Sequence, residues 1–166
     1  MTGTQQPIVL DRTYRATLEE LWNLWTTKDG FESWWGPEGF RVEVQTIDAR
    51  PGGTLTYDMI ADAPEAIEAM RRMGQPISHR TTGTFSEVIR HTRIALTHLI
   101  DFVAGVAPYD STAVVEFAPS GDAVRMIVTL SPLHDEQWTR NATMGWTSQL
   151  TKLEGILSSQ FTKERR

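Results

Sequence analysis

Residues 135–161 read Asp135-Glu-Gln-Trp-Thr-Arg-Asn-Ala-Thr-Met-Gly-Trp-Thr-Ser-Gln-Leu-Thr-Lys-Leu-Glu-Gly-Ile-Leu-Ser-Ser-Gln-Phe161. Trp138, Ala142, Trp146, Gln149, Leu150, Leu153 and Leu157, with Ile156, recur at steps of three and four. That spacing predicts one long helix with a single apolar face. Such a face must be buried, and the chain before it is mostly strand.

Working backward from that helix, Ser111–Phe117 and Val124–Leu130 alternate in polarity around Pro119-Ser-Gly-Asp122, a hairpin turn. Thr81–Ile89 and Arg93–Phe102 flank a tight turn at Arg90-His-Thr92. Arg41–Asp48 and Thr54–Ile60 flank Arg50-Pro-Gly-Gly53. Ile8–Tyr14 is a further strand. Three helical segments interrupt them. Thr17 and Glu20 form a capping box ahead of Leu18, Leu21, Trp22 and Trp25. Lys28–Trp34 is a short helix ended by Gly36-Pro37. Asp62–Gly74 is an inserted helix with Asp62 as its cap and Glu65 at N3. The order predicts an α+β chain in which about seven antiparallel strands curve around the terminal helix.

The chain has 166 residues and a mass of 18.7 kDa, and 40% of it is apolar. That suits one domain, with a core over about 8–160 and the insertion at 62–74. Cysteine is absent, which excludes disulfides, thiolate catalysis and iron–sulfur clusters. A net charge of -5 and a pI near 5.4 give no pull toward nucleic acid or anionic lipid. No apolar run approaches the roughly 18 residues of a membrane span, and the first residues carry no secretion signal, so the expected compartment is the cytoplasm.

Four stretches carry a resemblance. They are Glu20-Leu-Trp22, Trp34-Trp-Gly-Pro37, Asp48-Ala-Arg-Pro-Gly-Gly53, and Gly145-Trp146 with Leu150 and Leu153. Together they resemble the activator of heat-shock-protein-90 ATPase homologue-like family of the START-like (SRPBCC) superfamily. The resemblance implies a helix-grip fold with a deep cavity between curved sheet and terminal helix. It leaves a chaperone partner unsupported, because the second domain of a full co-chaperone is missing.

Trp34, Trp35, Tyr57, Phe85, His98, Trp138, Ala142 and Trp146 are the candidate cavity residues. Of the Trp34–Trp35 pair, one ring is expected to seal the core and the other to line the cavity mouth. Gly145, in mid-helix, marks either close packing or space for a ligand. Pairing Ile89 with Ile94 would place Glu87 and His98 diagonally on one face, as the two acid–base candidates. A slip of one residue would reverse that face. The stripe Ile67, Met70 and Met73 on the inserted helix suits a lid, a homodimer contact or plain surface packing. No histidine or carboxylate spacing matches a metal site, and no nucleotide-binding motif occurs, so no cofactor is expected.

The leading expectation is therefore binding of a hydrophobic or aromatic small molecule, such as a lipid or polyketide, without chemistry. A cyclase- or aromatase-like enzyme using Glu87 and His98 is the alternative, and a chaperone accessory role the third.

Overall fold

The computed structural model describes residues 6–101 and 103–164, with side chains described as far as Ser158. Phe102, the expected end of one strand, lies outside the described residues, as do residues 1–5 and the terminal pair Arg165 and Arg166.

The elements follow in order: β1 (Ile8–Tyr14), α1 (Leu18–Thr26), α2 (Lys28–Trp34), β2 (Phe40–Ile47), β3 (Thr54–Ala61), α3 (Pro64–Arg72), β4 (Ser78–Ile89), β5 (Arg93–Ile100), β6 (Tyr109–Ser120), β7 (Ala123–Leu130) and α4 (Glu136–Glu164). The seven strands form one antiparallel sheet in the order β1-β7-β6-β5-β4-β3-β2. The sheet is open and curved, and α4 lies against it in a helix-grip arrangement.

Alternation along the strands sets the inner face. Val115, Phe117, Met126, Val128, Ile94 and Leu96 are buried beneath α1, α2 and the C-terminal half of α4, where Leu150, Leu153 and Leu157 close the core. The expected capping of α1 is present, with Glu20 N–H donating to Thr17 Oγ1 at 3.0 Å. The turn at Asp48–Gly53 needs its glycines. A Cβ on Gly53 would come within 1.8 Å of the Asp48 carbonyl oxygen, and Gly52 has a φ of +83°.

Two local expectations are corrected. Asp62 does not cap the inserted helix. Helix α3 starts at Pro64, which presets φ and needs no donor, with Ala63 at the cap position and no side-chain cap bond. Asp62 instead sits 3.4 Å from Arg41 Nε.

The β4–β5 register also differs. Ile89 pairs with Arg93 and Glu87 with Ala95, a bulge follows at Ser86, and then Phe85 pairs with Leu96 and Gly83 with His98. The extra residue puts Phe85 and Glu87 on opposite faces, although two positions apart they would otherwise share one.

Candidate functional site

The bulge decides the fate of the acid–base pair. Glu87 is on the outer face, 3.1 Å from Arg93, which also reaches Glu116 at 3.5 Å. His98 is on the inner face, opposite Gly83 on one side and Ser111 on the other. The two candidates therefore point away from each other across the sheet.

His98 has other company. Its Nε2 lies 3.2 Å from Tyr57 Oη, and Trp35 Nε1–H donates to that same oxygen at 3.0 Å. The Trp35 and His98 rings are nearly parallel, at 18° with centroids 6.3 Å apart. Gly83 makes room for this ring: a Cβ there would stand 3.3 Å from His98 Nε2 and 3.1 Å from the Thr97 carbonyl. Burial lowers the His98 pKa to about 4. Burial also pushes the Tyr57 hydroxyl up to about 12, partly offset by hydrogen bonds with Trp35 and Thr81. At neutral pH the imidazole is thus uncharged and the phenol protonated. Both lie far from the range near 7 that suits proton transfer.

Beside His98 opens a cavity of about 60 Å³ between the N-terminal half of α4 and the sheet. Its wall includes Trp146, Ala142 and Thr143 from α4, Ser111 from β6, Leu130 from β7 and Ile8 from β1. A water needs roughly 10–15 Å³ of such volume. The space therefore holds a few small groups, whereas pockets for drug-sized ligands run to roughly 300–1,000 Å³.

Of the residues expected here, His98, Ala142 and Trp146 share the wall. Trp35 and Tyr57 form a second layer: Trp35 meets Trp146 edge to face at 5.1 Å, and Tyr57 meets His98. Trp34 is fully buried away from the wall and donates Nε1–H to the Leu24 carbonyl at 2.7 Å. The tryptophan pair thus divides its work: Trp34 closes the core and Trp35 backs the cavity wall. Phe85 is fully buried in the core, its backbone bonded to Gly52 and Gly53. Trp138 turns toward His134, with centroids 5.2 Å apart. Helix α3, with half-buried Ile67 and Met70 and exposed Met73, contributes no residue to the wall; its Ala66 Cβ would lie 3.2 Å from a Cβ on Gly39.

Gly145 has open space around it, with nothing within 4 Å of a Cβ built there. The half of α4 over the cavity is rich in small and polar residues, with Thr139, Ala142, Thr143 and Gly145 all half-buried. Its other half is fastened. Glu38 N–H donates to Ser148 Oγ at 2.8 Å, and Lys152 Nζ donates to the Gly36 and Phe40 carbonyls at 2.9 and 3.1 Å. The Trp34-Trp-Gly-Pro37 motif is thus where α4 is tied down. Sequence reading missed Ser148 and Lys152, and placed Gln149 on the apolar face without its clamping role; a glutamine on that face was the available signal.

The family model described as "Activator of Hsp90 ATPase homolog 1-like protein" matches residues 15–158. The chain belongs to this family. Solved structures with the same fold include a protein of Chromobacterium violaceum at 22% identity, covering 92% of this chain and 98% of that one, with a TM-score of 0.73. The AHSA1 protein of Silicibacter pomeroyi matches at 21% identity, covering 93% and 99%, also with a TM-score of 0.73. A protein of Arthrobacter aurescens matches at 19% identity, covering 92% and 86%, with a TM-score of 0.72. No curated protein sequence matches. Among AHSA1-like chains this one keeps the sheet and terminal helix, and none of its described helices is long and apolar enough to cross a membrane.

Proposed function

We propose that this AHSA1-like protein binds a small molecule with an aromatic or apolar body between α4 and the sheet, and performs no chemistry on it. The observation that carries this reading is the cavity walled by Trp146, Ala142 and His98, under a half-helix of small residues whose other half is clamped to the loop after Trp35. Aromatic walls supply apolar area, and a few polar groups fix orientation. Neutral His98 and protonated Tyr57 suit that orienting role. Any ligand larger than a few atoms requires the N-terminal half of α4 to rise, pivoting on the clamp.

The test is a panel of apolar and aromatic compounds screened by tryptophan fluorescence and thermal stabilisation, run on wild type and on Ala142→Trp, which fills the cavity. The proposal expects binding by wild type that the variant loses. Equal binding by both proteins, or none by wild type, would contradict it.

A further inference from the structure

The polar groups around the cavity under α4 differ in how far their hydrogen bonds are already used. Ser131, Thr139 and Thr143 give their hydroxyl protons to the carbonyls of Thr112, Asp135 and Thr139, at 3.0, 2.7 and 2.8 Å. Thr139 Oγ1 also accepts from the Leu133 N–H at 2.9 Å, and Ser131 Oγ from the Thr112 N–H at 3.4 Å. The Thr112 hydroxyl meets that of Thr97 at 2.9 Å. His98 and Ser111 remain, directly paired neighbours on β5 and β6 that both line the cavity.

Three contacts decide which nitrogen of His98 carries the hydrogen. An indole N–H only donates, so the 3.0 Å contact from Trp35 Nε1 takes up one lone pair of Tyr57 Oη. Thr81, opposite Tyr57 on β4, also bonds the phenol in the sense that favours its anion, as a donor does. With its oxygen accepting from both, Tyr57 gives its own proton to His98 Nε2 at 3.2 Å. Burial keeps the imidazole neutral at pH 7. A neutral imidazole that accepts at Nε2 carries its hydrogen on Nδ1.

The orientation of the ring decides where that hydrogen points. A Cβ built on Gly83 would stand 3.3 Å from both His98 Cδ2 and His98 Nε2. That edge of the ring therefore faces β4, and Nδ1, across the ring from it, is turned toward β6. Ser111 is the β6 residue there, on the same face of the sheet because directly paired residues share a face. Among the described residues, neither His98 Nδ1 nor the Ser111 hydroxyl has a hydrogen-bond partner. The rest of the wall is apolar or already hydrogen-bonded, and none of its residues carries a charge at neutral pH.

From this we infer that His98 Nδ1–H and the Ser111 hydroxyl form a two-donor cradle for one oxygen of the ligand, and that the ligand is an aromatic molecule carrying a neutral carbonyl group. The inference rests on the proposed function, which supplies the binding site itself. A carbonyl oxygen has two lone pairs and can take both hydrogen bonds. A hydrocarbon guest would leave both donors buried without an acceptor. A carboxylate would lie in the same space with no cation beside it, and burying an unpaired charge costs far more than burying a carbonyl.

The experiment compares 4-bromoacetophenone with 4-bromocumene, in which a methyl group stands in place of the carbonyl oxygen. Titration of tryptophan fluorescence gives both affinities, in wild type and in Ser111→Ala, and an unfolding curve checks that the variant is folded. The ratio of ketone to hydrocarbon affinity is expected to fall by about fivefold or more in Ser111→Ala, as loss of one hydrogen bond implies. Taking the ratio in both proteins cancels the difference in hydrophobicity between the probes. Nitrogen-15 spectra of the wild type at pH 7 are expected to show the His98 proton on Nδ1. An unchanged ratio in Ser111→Ala, with both probes still lost in Ala142→Trp, would overturn the carbonyl cradle and leave the proposed function standing. A proton on His98 Nε2 would overturn the cradle as well. Binding of neither probe by wild type would overturn the proposed function and this inference with it.

Discussion

The side-chain oxygen of Gln149 accepts a 2.9 Å hydrogen bond from the backbone N–H of Gly36, 113 residues earlier in the chain. Gln149 is 4% exposed and is the buried polar side chain among the described residues. It joins Ser148 and Lys152 in holding the loop between α2 and β2 against α4. Replacing it by leucine keeps the volume and leaves the Gly36 N–H buried without a partner. The expected cost is about 1–3 kcal/mol, the penalty for an orphaned buried donor. Urea unfolding of Gln149→Leu checks this: a midpoint shifted down at constant slope is expected, and an unchanged midpoint would deny the clamp its role.

Stability is expected to depend on pH through His98. Its pKa in the folded protein, about 4, lies below the 6.5 of the free side chain. Between those values the unfolded chain binds the proton that the folded chain refuses, so stability rises with pH across the window. The contribution of neutral His98 is complete above about 6.5 and is lost as pH falls toward about 4. The gap corresponds to roughly 3 kcal/mol at 1.36 kcal/mol per unit. Denaturation of wild type and His98→Gln at pH 7, 5.5 and 4 isolates this group from the carboxylates. The glutamine variant is expected to lose less stability over that range, and identical pH dependence would refute the assignment.

The glycines separate into opposite expectations. Gly53→Ala drives a Cβ into the Asp48 carbonyl and is expected to destabilise by more than about 2 kcal/mol. Gly145→Ala and Gly155→Ala, with nothing within 4 Å of the added carbon, are each expected to stabilise α4 by up to about 1 kcal/mol. Thermal unfolding reads all three. A destabilised Gly145→Ala would mean that this half of α4 sits closer to the sheet than described.

Glu87 is expected to be dispensable for binding. Its partner Arg93 is on the outer face, and a partly exposed ion pair is worth only about 0–1 kcal/mol. Glu87→Gln should leave ligand affinity unchanged, as isothermal titration would show, whereas His98→Ala, which removes a side chain of the cavity wall, should weaken binding. A loss of affinity in Glu87→Gln would restore the acid–base pairing read from the sequence.

Much of this was legible in the sequence because it is local. The period of three and four from Trp138 to Leu157 gives α4, the Thr17 cap begins α1, and Pro-Gly-Gly at 51–53 marks a hairpin whose geometry tolerates little else. Family membership followed from the same motifs. What the sequence withheld is relational. The bulge at Ser86 changes which face Glu87 occupies, and nothing in Thr-Phe-Ser-Glu marks where a strand gains a residue against its partner. Asp62 looked like a cap, but Pro64 sets the start of α3. The roles of Gln149 and Lys152 depend on backbone groups more than 100 residues away. The grouping of His98, Tyr57 and Trp35 spans three separate elements, β5, β3 and the end of α2.

The most direct measurement is the position of bromine, by anomalous diffraction, in crystals grown with 4-bromoacetophenone. The account predicts one bromine site between α4 and the sheet, in contact with Trp146, Ala142 and His98. Bromine found only on the protein's exterior, with that space unchanged, would contradict it.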